Sequence, residues 1–257
     1  MASRSGIKNY RFSFNLFITP GVQWLLIANA AVFIFEVLLQ TFSGLSAYTW
    51  FIGHFGLVPS AVFPGLRIWQ PFTYLFLHEN FWHIFTNMFV LFMFGRELEL
   101  AWGRNRFLQY YFLTGVGAGL INVIVKIAFF WGQPESYIAT IGASGAIFGV
   151  LLACAILFPD RQVVMFPIPI KMSMRTFVIV MTALEFLGTF GLGGDNISHI
   201  CHLGGMLVGY VYLRRGSFLY SVRNSVSDWK IQRNKKRFQV YMNKHKEPPS
   251  RPDRWVN

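Results

Sequence analysis

Six long apolar segments constrain the fold of this chain more than any other feature of its sequence. They cover Gly21–Phe42, Phe81–Phe94, Phe107–Trp131, Tyr137–Phe158, Thr176–Leu192 and Ile197–Leu213. Each is too long and too continuously apolar for an alternating barrel strand, and in lipid only helices or closed barrels satisfy the backbone. Only 13% of the residues are charged, against about 25% in soluble domains. The sequence therefore predicts an all-α membrane protein with six transmembrane helices.

Basic residues fall almost entirely on one side of these predicted spans. The N-terminus, the second-to-third and fourth-to-fifth connections and the C-terminal tail together contain twenty-one Lys or Arg residues. The opposite side has only Arg67, and Lys126 lies within the third span. Because cytoplasmic loops are enriched in Lys and Arg, both termini are predicted to face the cytoplasm. The second, fourth and sixth helices would then begin at the outer face.

The net charge of +12 is concentrated in the C-terminal tail. From Arg214 to Asn257 there are twelve basic residues against three acidic ones. A basic segment after a membrane helix is expected to contact anionic lipid, at about 1 kcal/mol per basic residue near the surface. RNA binding is the weaker interpretation, and no nucleic-acid partner is predicted. We divide the chain into a cytoplasmic N-terminal segment (1–19), a membrane domain (20–215) and a basic cytoplasmic tail (216–257).

The first connection, Ser43–Asn80, is long for a link between two adjacent helices. It contains Gly and Pro at several positions and is too apolar for a solvated loop. We expect it to lie along, or partly within, the outer face of the membrane.

Polar residues near the predicted outer ends of the second, fourth and sixth spans are candidates for chemistry. The main ones are His83, Asn87, Ser144, His199 and His202. Polar side chains within a membrane are costly, so each calls for a partner or a function. A lone serine in a strip of small residues is ordinarily a packing residue. However, Ser144 is expected about 6 to 10 Å below the start of its helix, and His202 at a similar or shallower depth, so the two side chains can meet.

A serine beside a histidine is typical of nucleophilic catalysis. Ser144 would be the nucleophile and His202 the base that removes its proton. The Ser144 backbone N–H and the side chains of His83 and Asn87 would donate to the oxyanion. Asp195 is the only acid expected near the histidine, and it belongs to a loop. The sequence therefore predicts a Ser-His dyad.

A zinc protease is the natural rival, because four histidines cluster in these segments. The zinc helix motif places two histidines at i and i+4, whereas His78 and His83 are five residues apart. His199 and His202 have a suitable spacing, but no carboxylate is expected beside them because Glu36 and Glu185 lie in other spans. We assign no role to either glutamate and predict neither a metal nor a cofactor.

Three of these motifs, in order along the chain, resemble the rhomboid family of intramembrane serine proteases. His83–Asn87 is similar to the family's HxxxN on the second helix, Gly142–Gly145 to its GxSG, and His202–Gly205 to its HxxG on the sixth helix. The resemblance covers the chain from about Trp69 to Gly209. It implies a six-helix rhomboid-like bundle with a long membrane-associated first loop, and the seventh helix of some members is not expected here.

The resemblance also implies roles for individual residues. The nucleophile would be Ser144, the base His202, and the oxyanion hole would consist of His83, Asn87 and the Ser144 amide. Two further residues have expected roles, and a third is an alternative to His202. Phe148 takes the place of the aromatic residue that packs on the base, Glu99 is expected to satisfy donors at a helix end, and His199 is the alternative base. The family's Trp-Arg is Trp69-Gln70 here, which affects contacts of the first connection but not the chemistry.

The function implied is hydrolysis of peptide bonds in or next to transmembrane helices, without a cofactor. Cleavable segments should contain helix-weakening residues such as Gly or Pro. Two other classes are kept as alternatives: a catalytically silent relative that binds transmembrane clients, and a transporter or channel. The expected location is a bacterial inner membrane, with the active site open to the outside. The sequence does not indicate the natural substrate or the oligomeric state.

Overall fold

The computed structural model describes residues 18–165, 170–189 and 199–215, and these are mostly helical. The helices are α1 (Pro20–Phe55), α2 (Pro59–Val62), α3 (Gln70–Thr73), α4 (Phe81–Val90), α5 (Arg96–Trp102), α6 (Arg104–Phe130), α7 (Ser144–Leu157), α8 (Met174–Thr189) and α9 (199–215). A 3₁₀ turn (Tyr74–Phe76) follows α3, another (Pro134–Ser136) follows α6, and a π-helical turn (Leu91–Gly95) joins α4 to α5. Between α7 and α8, β1 (Gln162–Met165) pairs antiparallel with β2 (Ile170–Ser173), with Gln162 opposite Ser173.

A helix overlaps each of the six apolar segments identified in the sequence. Among the described residues, α1 and α6 are long and apolar enough to cross a membrane, and α7 is a shorter apolar helix. The count of six spans stays a prediction. By internal contacts the chain divides into units Met1–Tyr210 and Val211–Asn257, and only residues 211–215 of the second are described. The expectations for residues 1–17 and for the tail beyond 215 lie outside the described residues.

Helix α1 is anchored at its start and bent near its middle. The Glu99 carboxylate accepts hydrogen bonds from the backbone N–H of Gly21 and of Val22, each at 2.8 Å. It also accepts one from the Thr19 hydroxyl at 2.6 Å. These contacts satisfy donors that a helix start leaves unpaired, the role expected for Glu99. The helix kinks at Gly44, where φ is 79°, and continues to Phe55, so the first connection starts as a helix.

Gln70 forms hydrogen bonds that link distant parts of the first connection. Leu57, in the same connection, pairs with the segment before α7. The buried Gln70 amide accepts from the Val58 N–H at 3.0 Å and donates to the Gly53 carbonyl at 3.0 Å. Leu57 and Thr140 exchange two backbone hydrogen bonds of 2.9 Å. The resemblance left open which polar contacts form where Gln70 replaces the family's arginine, and Gln70 itself makes such contacts. Whether this connection lies against a membrane stays a prediction.

Small residues let α6, α7 and α9 pack backbone to backbone. A Cβ at Gly149 would lie 2.7 Å from Thr114, and one at Gly145 would lie 2.8 Å from Ala118. The Tyr110 hydroxyl donates to the Gly149 carbonyl at 2.8 Å. Residue numbers fall along α6 as they rise along α7, so the two helices are antiparallel. This close approach matches the small-residue packing of membrane helices.

Helices α4 and α7 run in the same direction, because contacts join them at both ends. At their N-terminal ends, a Cβ at Gly142 would lie 2.7 Å from His83 Nε2. Near their C-terminal ends, the Cys154 thiol in the last turn of α7 lies 3.6 Å from the Phe94 carbonyl oxygen, and further on Glu97 forms an ion pair with Arg161. The starts of α4 and α7 therefore lie together, as the charge pattern of the connections predicts. Large apolar side chains, among them Tyr74, Tyr110, Tyr111 and Phe107, fill the core.

Candidate active site

Ser144 is the first residue of α7, so the expectation that it lies 6 to 10 Å below the start of its helix is wrong. Gly142 has φ of +122°, a conformation that side-chain-bearing residues rarely adopt. Helix α7 therefore does not extend upstream through this residue. The Gly142 N–H donates to the Tyr74 carbonyl at 2.9 Å. The first backbone bond into α7 runs from Ile147 to Ala143. The Ser144 N–H therefore precedes the helix's own hydrogen bonds, at the positive end of the helix dipole.

The side chains of Ser144 and His202 are directly hydrogen bonded. Ser144 Oγ lies 2.7 Å from His202 Nε2, within the range for a short hydrogen bond. The contact depends on close packing of α7 and α9, because a Cβ at Gly205 would overlap the Gly145 carbonyl oxygen. Glycine at this crossing lets the helices approach until serine and histidine meet.

Phe148 fixes the plane of the histidine ring. It lies one turn after Ser144, and its ring stacks on His202 with centroids 4.4 Å apart and planes 15° from parallel. Both residues are mostly buried, at 7% and 8% exposed for Phe148 and His202. The imidazole therefore has little freedom to turn away from the serine.

Two side chains of α4 lie beside the start of α7. A Cβ at Gly142 would lie 2.7 Å from His83 Nε2 and 3.6 Å from Asn87 Nδ2. Asn80 caps α4 by accepting from the His83 N–H at 2.9 Å, which fixes the start of the helix that presents both groups. The Asn87 amide nitrogen is buried and has no hydrogen-bond partner among the described residues. A buried donor without an acceptor is costly, so it is suited to an acceptor that arrives from outside.

The expectation that no acid lies beside the histidine is wrong. Glu185, on α8, places Oε2 at 2.8 Å from His202 Nδ1. In the sequence, Glu185 is an ionisable residue within a span, but it lies in a different span from His202 and is therefore not expected beside it. The high cost of a carboxylate in a membrane was the available signal, since it implies a polar partner nearby. Asp195, the acid considered instead, lies outside the described residues.

His199 contacts the same carboxylate and not the serine. Its Nδ1 lies 2.7 Å from Glu185 Oε2, and its ring meets His202 edge to face with centroids 6.4 Å apart. Glu185, His199 and His202 each offer one ligand atom, and these atoms lie within 4.8 Å of one another. A carboxylate therefore lies beside His199 and His202, and the expectation that none does is wrong. The same atoms are, however, already joined by hydrogen bonds to one another.

Glu36, the other glutamate to which the sequence assigns no role, contacts the segment that precedes α4. Glu36, 2% exposed, accepts from the His78 backbone N–H at 3.2 Å. The His78 ring meets the His83 ring edge to face, with centroids 5.1 Å apart. Glu36 therefore contacts the backbone of His78, whose ring packs on His83, and neither residue contacts Ser144.

The chain was compared with known families and proteins. A rhomboid domain family model matches residues 65–217. Similar proteins include "Rhomboid protein 1, mitochondrial" of Saccharomyces cerevisiae, 28% identical over 53% of this chain and 38% of its own length. "Rhomboid-like protein 11, chloroplastic" of Arabidopsis thaliana is 28% identical over 74% of this chain and 63% of its own. "Rhomboid protease AarA" of Providencia stuartii is 29% identical over 55% of this chain and 53% of its own.

The chain spans less than two thirds of the length of each of these three relatives. The matched region contains every residue described above at the start of α4, α7 and α9, together with Glu185. It also covers more than half of the chain, so family membership does not depend on the motifs alone. The chain therefore belongs to the rhomboid family, whose members are integral to membranes.

Proposed function

We propose that this protein is an intramembrane serine endopeptidase that hydrolyses peptide bonds in or next to transmembrane helices of membrane proteins. The observation that carries the proposal is the 2.7 Å contact between Ser144 Oγ and His202 Nε2. Membership of a family that includes a named protease supports the class of reaction. The stacked Phe148 supports a role in which the orientation of the imidazole matters.

The first half of the reaction forms an acyl-enzyme intermediate. His202 Nε2 accepts the hydroxyl proton as Ser144 Oγ bonds to the scissile carbonyl carbon. The negative charge that develops on the carbonyl oxygen is stabilised by the Ser144 N–H, the Asn87 amide and the His83 imidazole. The tetrahedral intermediate collapses, the C–N bond breaks, and the His202 imidazolium gives its proton to the leaving amine. The acyl group stays on Ser144 as an ester.

The second half returns the enzyme to its starting state. Water attacks the ester carbonyl while His202 accepts a proton from it, and the same donors stabilise the second oxyanion. When the C–O bond to Ser144 breaks, the imidazolium returns a proton to Ser144 Oγ and a carboxylic acid leaves. No step requires a cofactor.

The proposal includes a membrane arrangement. Six spans, α1, α4, α6, α7, α8 and α9, would place both termini in the cytoplasm and open the site to the outside, as the distribution of basic residues indicates. The segments 1–19, 20–215 and 216–257 keep their proposed roles, with the last contacting anionic lipid. Relatives carry mitochondrial and chloroplastic names as well as a bacterial source. A bacterial inner membrane remains our proposed location.

The substrates would be transmembrane segments with locally weakened helical structure. A peptide bond within a regular helix has its carbonyl and N–H already hydrogen bonded, so it resists attack until the helix opens. Gly and Pro lower the cost of that opening. The site at the start of α7 would therefore favour segments that contain such residues near the cleaved bond.

Labelling with a fluorophosphonate probe tests the proposal directly. The purified full chain in lipid nanodiscs is expected to form a covalent adduct that peptide mapping locates on Ser144. Ser144→Ala should abolish labelling, and His202→Ala should lower its rate by at least about 1000-fold. Thr86→Val, an exposed substitution on α4, is the matched control and should label normally. A folded native protein that remains unlabelled would contradict the proposal and favour a relative that binds clients without cleaving them.

A further inference from the structure

We propose that Glu185 is a positioning residue for the base, so that Ser144, His202 and Glu185 act as a triad rather than a dyad. This inference rests on the proposed function of the same site. Its basis is a continuous line of hydrogen bonds: Ser144 Oγ to His202 Nε2 at 2.7 Å, and His202 Nδ1 to Glu185 Oε2 at 2.8 Å. The two nitrogens of one imidazole thus face the nucleophile and the carboxylate.

The carboxylate selects the tautomer that catalysis needs. An ionised carboxylate can only accept hydrogen bonds, so His202 Nδ1 must carry the proton that lies between it and Glu185. Nε2 then has a free lone pair directed at the Ser144 hydroxyl. With the opposite tautomer, Nε2 would donate to Ser144 and would be unable to accept its proton. Glu185 therefore sets the direction of proton transfer without touching the substrate.

Burial makes the charge of Glu185 effective. Its side chain is 12% exposed and that of His202 is 10% exposed, so little water screens the pair. When His202 accepts the serine proton it becomes an imidazolium, and the adjacent carboxylate stabilises this cation in a medium of low dielectric constant. The positive charge would otherwise develop in a site that contains few other compensating groups.

His199 holds the carboxylate in place from the other side. Its Nδ1 lies 2.7 Å from the same Oε2 atom, so Glu185 accepts two imidazole N–H groups at one oxygen. His199 and His202 are three residues apart on α9 and therefore lie on neighbouring parts of one helix face. Glu185 is fixed against α9 by two contacts, of which one continues to Ser144. This arrangement gives His199 a role even though it does not contact the nucleophile.

The test measures how fast the probe reacts and separates that rate from probe binding. In nanodiscs, Glu185→Gln should lower the maximal labelling rate by about 100-fold or more while the probe concentration at half-maximal rate stays unchanged. Glutamine keeps the shape but removes the charge. Glu185→Asp should recover part of the rate. Thr182→Val, which removes a hydroxyl one turn away on α8, should leave both quantities as in the native protein.

Rescue by an added carboxylate distinguishes positioning from a structural role. Glu185→Ala leaves a space beside His202, and formate in the buffer should raise its labelling rate, whereas chloride at equal ionic strength should not. Equal maximal rates for native protein and Glu185→Gln would overturn the inference, as would equal effects of formate and chloride on Glu185→Ala. If Glu185→Ala does not fold, the Gln and Asp variants decide alone. If the native protein does not label, the proposed function fails together with this inference. If the native protein labels and Glu185→Gln labels at the same maximal rate, only the inference fails.

Discussion

The rings of Phe148 and His202 lie face to face, with centroids 4.4 Å apart and planes inclined by 15°. Phe148 also lies one turn beyond Ser144 on α7, so the helix that carries the proposed nucleophile also carries the ring on which the proposed base stacks. Rotation that tilts the His202 ring out of its plane would break this stacking. The ring contact and the hydrogen bond to Ser144 therefore restrict the same motion.

Replacing Phe148 by leucine should slow labelling of Ser144 by about tenfold. Leucine fills most of the volume but cannot stack, and a stacked ring pair is worth about 0.5–1.5 kcal/mol beyond its burial. Phe148→Tyr keeps the ring and should label at close to the native rate. The maximal fluorophosphonate labelling rate of the three proteins is the measurement. A leucine variant as fast as the native protein would show that stacking does not position the base.

Replacing Asn87 by alanine should reduce substrate turnover far more than substrate binding. Asn87 Nδ2 is a buried donor without a partner among the described residues, beside Gly142. If it donates to the oxyanion, its removal should lower kcat by about 100- to 1000-fold with KM little changed. Cleavage of a transmembrane substrate in proteoliposomes would measure both constants. A variant with native kcat would exclude Asn87 from the oxyanion hole; Thr86→Val is the control from the same helix.

A side chain at position 205 should separate α9 from α7. Because a Cβ there would overlap the Gly145 carbonyl oxygen, Gly205→Ala must push the two backbones apart. Overpacking of this kind costs about 1–3 kcal/mol, and the Ser144–His202 hydrogen bond should be lost. We expect a lower thermal midpoint together with greatly reduced labelling. Gly53→Ala, where a Cβ would meet no atom within 4 Å, is the control and should change neither quantity.

Removal of the Glu99 carboxylate should destabilise the protein without changing its chemistry. Glu99→Ala loses hydrogen bonds from Thr19, Gly21 and Val22 at the start of α1. Hydrogen bonds to charged groups contribute about 1.5–3 kcal/mol each after the exchange with water is included. The thermal midpoint should fall, while the labelling rate of the folded fraction stays native. The exposed Glu79→Gln is the control, and an unchanged midpoint for Glu99→Ala would show that the cap is dispensable.

The sequence predicts the helices and the meeting of Ser144 with His202 because both follow from patterns local to each segment. Continuous apolar runs give the helices, and the charge of the connections gives the direction of each one. The start of α7 was not predictable in this way, since the break depends on the conformation of Gly142. The contact between Glu185 and His202 is not predictable from the sequence either. The apolar runs of α8 and α9 do not indicate which of their faces meet, and the cost of a carboxylate in a membrane indicates only that Glu185 has some polar partner. Its contact with His202 therefore appears only in three dimensions.

Metal chelation should leave the labelling rate unchanged. Glu185, His199 and His202 offer ligand atoms within 4.8 Å of one another, the kind of set that binds zinc. A metal bound to Nδ1 of His202 would place the remaining proton on Nε2, where it points at Ser144 and prevents the imidazole from accepting the hydroxyl proton. The proposed mechanism therefore requires His202 Nδ1 to be bound to a proton and not to zinc. Incubation with 1,10-phenanthroline should preserve labelling, and added Zn²⁺ should not increase it. Loss of labelling with the chelator, followed by recovery with Zn²⁺, would contradict the triad and favour a metal site formed by these three residues.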